Sequence, residues 1–175
     1  MRLTVRTLLV IVTASVLLYA LHEYCYVPLR CNVIEKQTEA RTSRAYQSIG
    51  TRRANMMARK SLDDLKPCAR ACRTNVNYYM IKAADFRILG QSAAAVQEYE
   101  RALHYDRRPE LYFNLGLMLL ETDRAAGERA LVTAGLFNPA TLEEIPYEDV
   151  RNEVKREVSA TFARWTAEHV QKQRP

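Results

Sequence analysis

The chain reads as an all-α protein: a single N-terminal transmembrane helix, then a short solenoid of helical hairpins, then a C-terminal capping helix. Three observations predict this. Glycine (5) and proline (6) are scarce among 175 residues, too few for the turns of a strand-rich fold. Ala, Leu, Arg and Glu, all good helix formers, dominate after residue 40. A pattern of aromatic and small residues also recurs with a period near 33. Apolar residues at 48% and charged residues at 26% exclude wholesale disorder.

Residues 1–28 carry the membrane signal, as an anchor or as a signal peptide. An uncharged run from Thr7 to Leu21 follows Arg2 and Arg6 and precedes His22 and Glu23. A helix of that length rises about 22 Å, short of a hydrocarbon core of about 30 Å. Leu3 and Val5 close the gap if Arg6 snorkels back, and Tyr19, Tyr24 and Tyr26 then form an aromatic belt at the far surface. The run also fits the apolar core of a signal peptide, but no small-x-small cleavage site follows, because Leu18 is bulky in Leu18-Tyr19-Ala20. The anchor is the favoured reading. Arg2 and Arg6, nearest the span, favour a body on the non-cytoplasmic side. Arg30, Lys36 and Arg41 on the other flank favour the reverse, which leaves a cytoplasmic body open.

Residues 29–73 form a basic helical segment. Positions 30–73 hold eleven Lys/Arg against four acids, net +7, whereas residues 1–29 carry +1 and residues 74–175 carry −2. A basic stripe there can face anionic headgroups or a polyanion, or it can be a solvated helix face.

Tyr46, Tyr79 and Tyr112 stand 33 residues apart and open similar patterns: Tyr46-x-x-Ile49-Gly50, Tyr79-x-x-Lys82-Ala83 and Tyr112-x-x-Leu115-Gly116. Each is followed by a small-large-small triplet: Ser61/Leu65/Cys68, Ala95/Tyr99/Ala102 and Gly127/Leu131/Ala134. Spacings of four and three put each triplet on one helical face. The small members let a neighbouring helix approach and the large one fills the space between. Turns are expected at Ile88-Leu89-Gly90-Gln91, with Ser92 capping the next helix, and at Thr122-Asp123-Arg124.

On these residues the chain resembles the tetratricopeptide repeat family. Residues 76–109 match its pattern at Tyr79, Ala83, Phe86, Gly90, Ala95, Tyr99 and Ala102, with Arg107 where the closing proline is usual. Residues 109–139 match at Tyr112, Leu115, Gly116, Ala134 and Pro139, with a turn one residue shorter, so residues 74–139 read as two repeats. Residues 42–75 match only at Tyr46, Ile49 and Gly50. No turn residue separates helices around Ala54–Ala58, and Pro67 falls inside the second helix. A degenerate first repeat and a single long helix from about 38 to 65 are equal readings there.

Residues 140–175 contain a final helix whose apolar stripe runs through Val150, Val154, Val158, Phe162 and Trp165. The expected role is a cap over the last hairpin, with a docking helix for a partner as the alternative.

Catalytic chemistry finds no support. His22, His104 and His169 stand apart from other ligands at metal spacing, and no phosphate-cradling loop or nucleophile–base arrangement is visible. No catalytic residue, cofactor or metal is expected, nor a nucleic acid or small-molecule substrate. Cys25 and Cys31 flank Pro28 in an expected turn and could bridge in an oxidising compartment. Cys68 reads as a buried structural thiol, and Cys72 is left open.

The family resemblance implies that first helices line a concave groove for a protein partner. Its residues would be Asn77, Met80, Ala84, Arg87 and Ile88, then Glu110, Phe113, Asn114, Leu117 and Glu121. Asn114 stands where the family often holds a ligand backbone, whereas the lysine clamp for a terminal carboxylate is absent at Met80 and Ala84. The expected function is a membrane-tethered scaffold, with a secretion, pilus or envelope assembly as its setting. The alternative is an anionic-lipid or polyanion-binding module acting through residues 30–73.

Overall fold

The computed structural model describes residues 5–172, with side chains from 8 to 168. Arg2, Arg6, Leu3, Val5 and His169, singled out above, have side chains outside the described residues. All described elements are helical. In chain order they are α1 (Val5–Leu21), α2 (Val27–Tyr46), α3 (Arg52–Leu65), α4 (Val76–Ile88), α5 (Ser92–Tyr105), α6 (Pro109–Leu119), α7 (Arg124–Phe137) and α8 (Glu148–Lys172).

The continuous helix that begins with α1 and runs to Tyr46 contains a stretch long and apolar enough to cross a membrane, and none of that stretch is buried against the rest of the protein. α1 runs on into α2 through a π turn at His22–Tyr26, where the Val27 N–H reaches back to the His22 carbonyl. Pro28 accounts for this turn. It has no N–H to offer the carbonyl four residues earlier, and its ring crowds that position, so the local helix widens. The turn expected between Cys25 and Cys31 is thus continuous helix. Of the two readings of residues 42–75, the single long helix over 38–65 does not hold: the chain breaks at 47–51, where Gly50 adopts φ +88° and Thr51 caps α3 by accepting from the Ala54 N–H at 3.1 Å. Tyr46 therefore closes α2 rather than opening a helix. Pro67 lies in a 3-10 turn, Lys66–Cys68, that follows α3.

Three antiparallel hairpins result: α2/α3, α4/α5 and α6/α7, stacked so that α4 meets α2 and α3, α6 meets α5, and α8 covers α7. The small-large-small triplets sit where they pack. Ser61, Leu65, Cys68, Ala95, Tyr99, Ala102, Gly127, Leu131 and Ala134 are all buried. The α4–α5 turn closes as a Schellman motif. The Gln91 N–H bonds the Phe86 carbonyl, the Gly90 N–H bonds that of Arg87, and Gly90 takes φ +71°. Ser92 is not the cap. It is already helical, Gln91 precedes it without a side-chain bond, and the Ser92 hydroxyl donates to Glu121 at 3.2 Å. Asp123 does cap α7, accepting from the Ala126 N–H at 2.9 Å.

The repeated tyrosines have a common task in the second and third hairpins. Tyr79 stacks on Tyr105 and Tyr112 on Phe137, each pairing the start of one hairpin helix with the end of the other.

The cysteines pair differently from the expectation. Cys68 is bonded to Cys31, with α-carbons 5.4 Å apart. Cys25 is free and exposed, and Cys72 is free and buried. The return of α3 beside α2 brings Cys68 back to Cys31, a pairing invisible while residues 38–65 read as one rod.

Val150, Val154 and Val158 of α8 pack with Leu131, Leu142 and Ile145. Phe162 and Trp165, on the same stripe, are exposed.

Candidate protein-binding groove

α2 and α4 lie side by side because Asn75 ties them together at one end and Thr42 at the other. Asn75 caps α4 through its Oδ1, and its Nδ2 donates to Glu35 of α2 at 2.6 Å. Burial raises the Glu35 carboxyl above its ordinary pKa, with the Asn75 hydrogen bond opposing. Further along, the Thr42 hydroxyl donates to Asp85 Oδ1 at 2.8 Å. Asp85 is fully buried, and desolvation pushes its carboxyl up to about 7 against the hydrogen bond from Thr42 and the charge of Arg41.

Along this contact runs a hollow of about 350 Å³. From α4 it is walled by Asn77, Met80, Ile81 and Ala84, and from α2 and its C-cap by Glu39, Thr42, Ser43, Tyr46 and Gln47. The walls combine an apolar floor with amide, hydroxyl and carboxylate groups at the rim, a surface suited to an extended or helical peptide. Arg87 sits at its end with the guanidinium 5.4 Å from the centre of the Tyr46 ring.

The structure thus brings together Asn77, Met80 and Ala84, with Arg87 adjoining. It does not bring Ile88 there, since Ile88 packs with Ala45, Ala54 and Ala58. The expected α6 members are elsewhere. Phe113 and Leu117 pack against the cluster of Leu131, Leu142, Ile145 and the α8 valines. Asn114 donates to the Glu110 carbonyl of its own helix at 2.9 Å, and Glu121 receives Ser92. The reason is that α6 contacts α5 and α7, not the α2 face of α4.

Sequence reasoning missed Tyr46 as a groove wall and the Thr42–Asp85 tie. A signal for the second existed. Tyr78, Ile81, Asp85 and Ile88 follow one another at three, four and three, so an acid stands on an otherwise apolar face.

A larger hollow, about 580 Å³, separates α3 from α4. Two of its lysines are paired: Lys66 with Asp63 and Lys82 with Glu98, each at 2.7 Å. Lys82 also lies 5.3 Å from the Tyr78 ring centre. The basic segment is likewise divided, because Arg41 and Lys60 both bond Asp64. Arg52 and Arg53 open α3 at the opposite end of α2 from Arg30. Among the described residues no three His, Cys, Asp or Glu side chains converge as metal ligands. Comparisons with protein-family models, with curated proteins and with solved structures found no match to this chain.

Proposed function

We propose that this chain is a membrane-anchored scaffold of the tetratricopeptide type that holds a protein partner in the groove between α2 and α4. The observation that carries the reading is the groove itself. It is formed by the first helices of successive hairpins and lined by Asn77, Met80 and Ala84, which the family resemblance nominates. Exposed Leu8, Leu9, Val10, Ile11, Val12, Val16, Leu17, Leu18 and Leu21 support the anchor. Leaving nine such side chains in water costs on the order of 15 kcal/mol, which a bilayer removes. The Cys31–Cys68 disulfide supports a body on the non-cytoplasmic side, where such bonds persist. A secretion, pilus or envelope assembly is the setting in which an exported, tethered scaffold would work.

Photo-crosslinking in cells tests the reading. A photoreactive residue at Met80 or Asn77 is expected to capture one protein, and the same residue at Glu143 on the capping side is not. Capture only from Trp165, with nothing at Met80 or Asn77, would transfer the partner site to α8 and sink the groove assignment.

A further inference from the structure

The apolar helix does not end in a linker. α1 continues through the π turn into α2, whose Cys31 is bonded to Cys68. The hairpin therefore returns the segment after Cys68 to the level at which α1 would leave a bilayer. A hollow of about 510 Å³ opens there, bounded by Tyr19, Glu23 and Tyr24 on the helix and by Arg70 and Arg73 on the returning segment. Tyr19 belongs to the last turn of the apolar run, and Tyr24 is 81% exposed just beyond it. The helix from Tyr19 to Pro28, which lines the hollow, rises about 15 Å. That spans the headgroup layer, about 5–8 Å thick on each face.

Arg70 and Arg73 are exposed and make no ion pair with a described residue, unlike Arg41, Lys60 and Lys66 of the same basic segment. Unpaired guanidiniums are forks for phosphate oxygens, and tyrosine rings sit well at the boundary of acyl chains and water. Glu23 is the one acid of the hollow, 3.6 Å from His22. Arg52 and Arg53 lie beyond the far end of α2, whose 20 residues rise about 30 Å, out of reach of a bilayer surface at Tyr24.

We propose that this hollow is a headgroup site for an anionic phospholipid of the membrane that α1 crosses. Arg70 and Arg73 hold the phosphate, and Tyr19 and Tyr24 flank it. The inference rests on α1 being a membrane anchor. It assigns the lipid contact to one end of the basic segment, not to the whole of it.

The test uses the full chain in detergent micelles carrying phosphatidylglycerol or phosphatidylcholine, with bound lipid counted by native mass spectrometry. Each cation near a charged surface contributes about fivefold in lipid affinity, so Arg70→Gln with Arg73→Gln lowers the preference for phosphatidylglycerol by roughly 25-fold. Arg52→Gln with Arg53→Gln leaves that preference unchanged, and Glu23→Gln raises it. An unchanged preference in the first double variant, equal losses in both, or a loss in Glu23→Gln overturns the site. Carbonate extraction of cell membranes separates the two levels. Release of the full chain as soluble protein overturns the anchor and the site together, whereas a retained chain with no lipid preference overturns the site alone.

Discussion

Thr42 donates a hydrogen bond to Oδ1 of Asp85 across the α2–α4 contact, while Oδ2 of the same carboxyl is buried without a partner. The carboxyl is held at about 7 by burial, against about 3.9 in an unfolded chain. In the window between those values the folded state keeps a proton that the unfolded state has lost. Stability from this group is therefore fully present below pH 4 and is lost as pH rises towards 7 and beyond. The loss is at most about 4 kcal/mol. Asp85→Asn keeps the shape and removes the titration. The melting temperature of the variant minus that of the parent should rise between pH 4 and 7.5. Parallel curves would show that the carboxyl is ionised in the fold at all these values.

Closing a loop with a sequence separation of 37 between Cys31 and Cys68 restricts the unfolded chain, worth about 3–4 kcal/mol in the chain-entropy treatment. Cys31→Ser with Cys68→Ser should lower the melting temperature, and reductant should do the same to the parent but not to the variant. Cys25→Ser should change nothing, because Cys25 is exposed and unbonded. In the oxidised native protein a maleimide should label Cys25 quickly and the buried Cys72 slowly. Two fast thiols would contradict the placement of Cys72.

The parts of this fold that were legible in sequence are those governed by local spacing. The triplets at Ala95, Tyr99 and Ala102 and at Gly127, Leu131 and Ala134 could be read because four-and-three spacing forces one helical face, and burial follows from that face. Asp123 and Gly90 were legible as turn residues for the same local reason. The first hairpin stayed open between two readings because Tyr46 falls in the 33-residue register yet closes α2 instead of opening a helix. Gly50 shares its place in the pattern with Ala83 and Gly116, both helical, whereas its own positive φ makes it the turn. The groove was only half legible. Which first helices adjoin depends on how far each hairpin rotates against the next, and no residue of α4 or α6 encodes that rotation by itself. Asn77, Met80 and Ala84 were found, while Phe113 and Leu117 were consigned to the groove although the α8 side claims them.

The aromatic pairs should be measurably coupled. Tyr112 and Phe137 lie with ring centres 5.9 Å apart and planes 18° from parallel, and Tyr79 and Tyr105 at 5.8 Å and 9°. A double-mutant cycle with Tyr112→Leu and Phe137→Leu should return a coupling of about 0.5–1.5 kcal/mol. Tyr112→Leu combined with Tyr105→Leu, drawn from different stacked pairs, should be additive within about 0.5 kcal/mol. Equal couplings in the two cycles would mean that the recurring tyrosine contributes only buried area.

Close approach of helices is the property on which the stacked hairpins depend, and it predicts two costs of similar size from opposite chemistry. Ala102 is fully buried in the cluster that joins α4, α5 and α6, so Ala102→Leu adds three carbons to a filled space at about 1–3 kcal/mol. Gly127 opens the corresponding triplet of α7. A β-carbon there would lie 2.7 Å from the Leu120 backbone nitrogen and 2.9 Å from the Gly116 carbonyl oxygen. On helix propensity alone Gly127→Ala should stabilise α7 by about 1 kcal/mol. Backbone atoms cannot turn aside as a side chain can, so α6 and α7 must separate and the contact around Leu131 loosens. The net effect is therefore a lower melting temperature. A stabilised Gly127→Ala protein would mean that α6 and α7 do not cross at these glycines, and an unchanged Ala102→Leu protein would mean that α5 is not closely packed against α4 and α6.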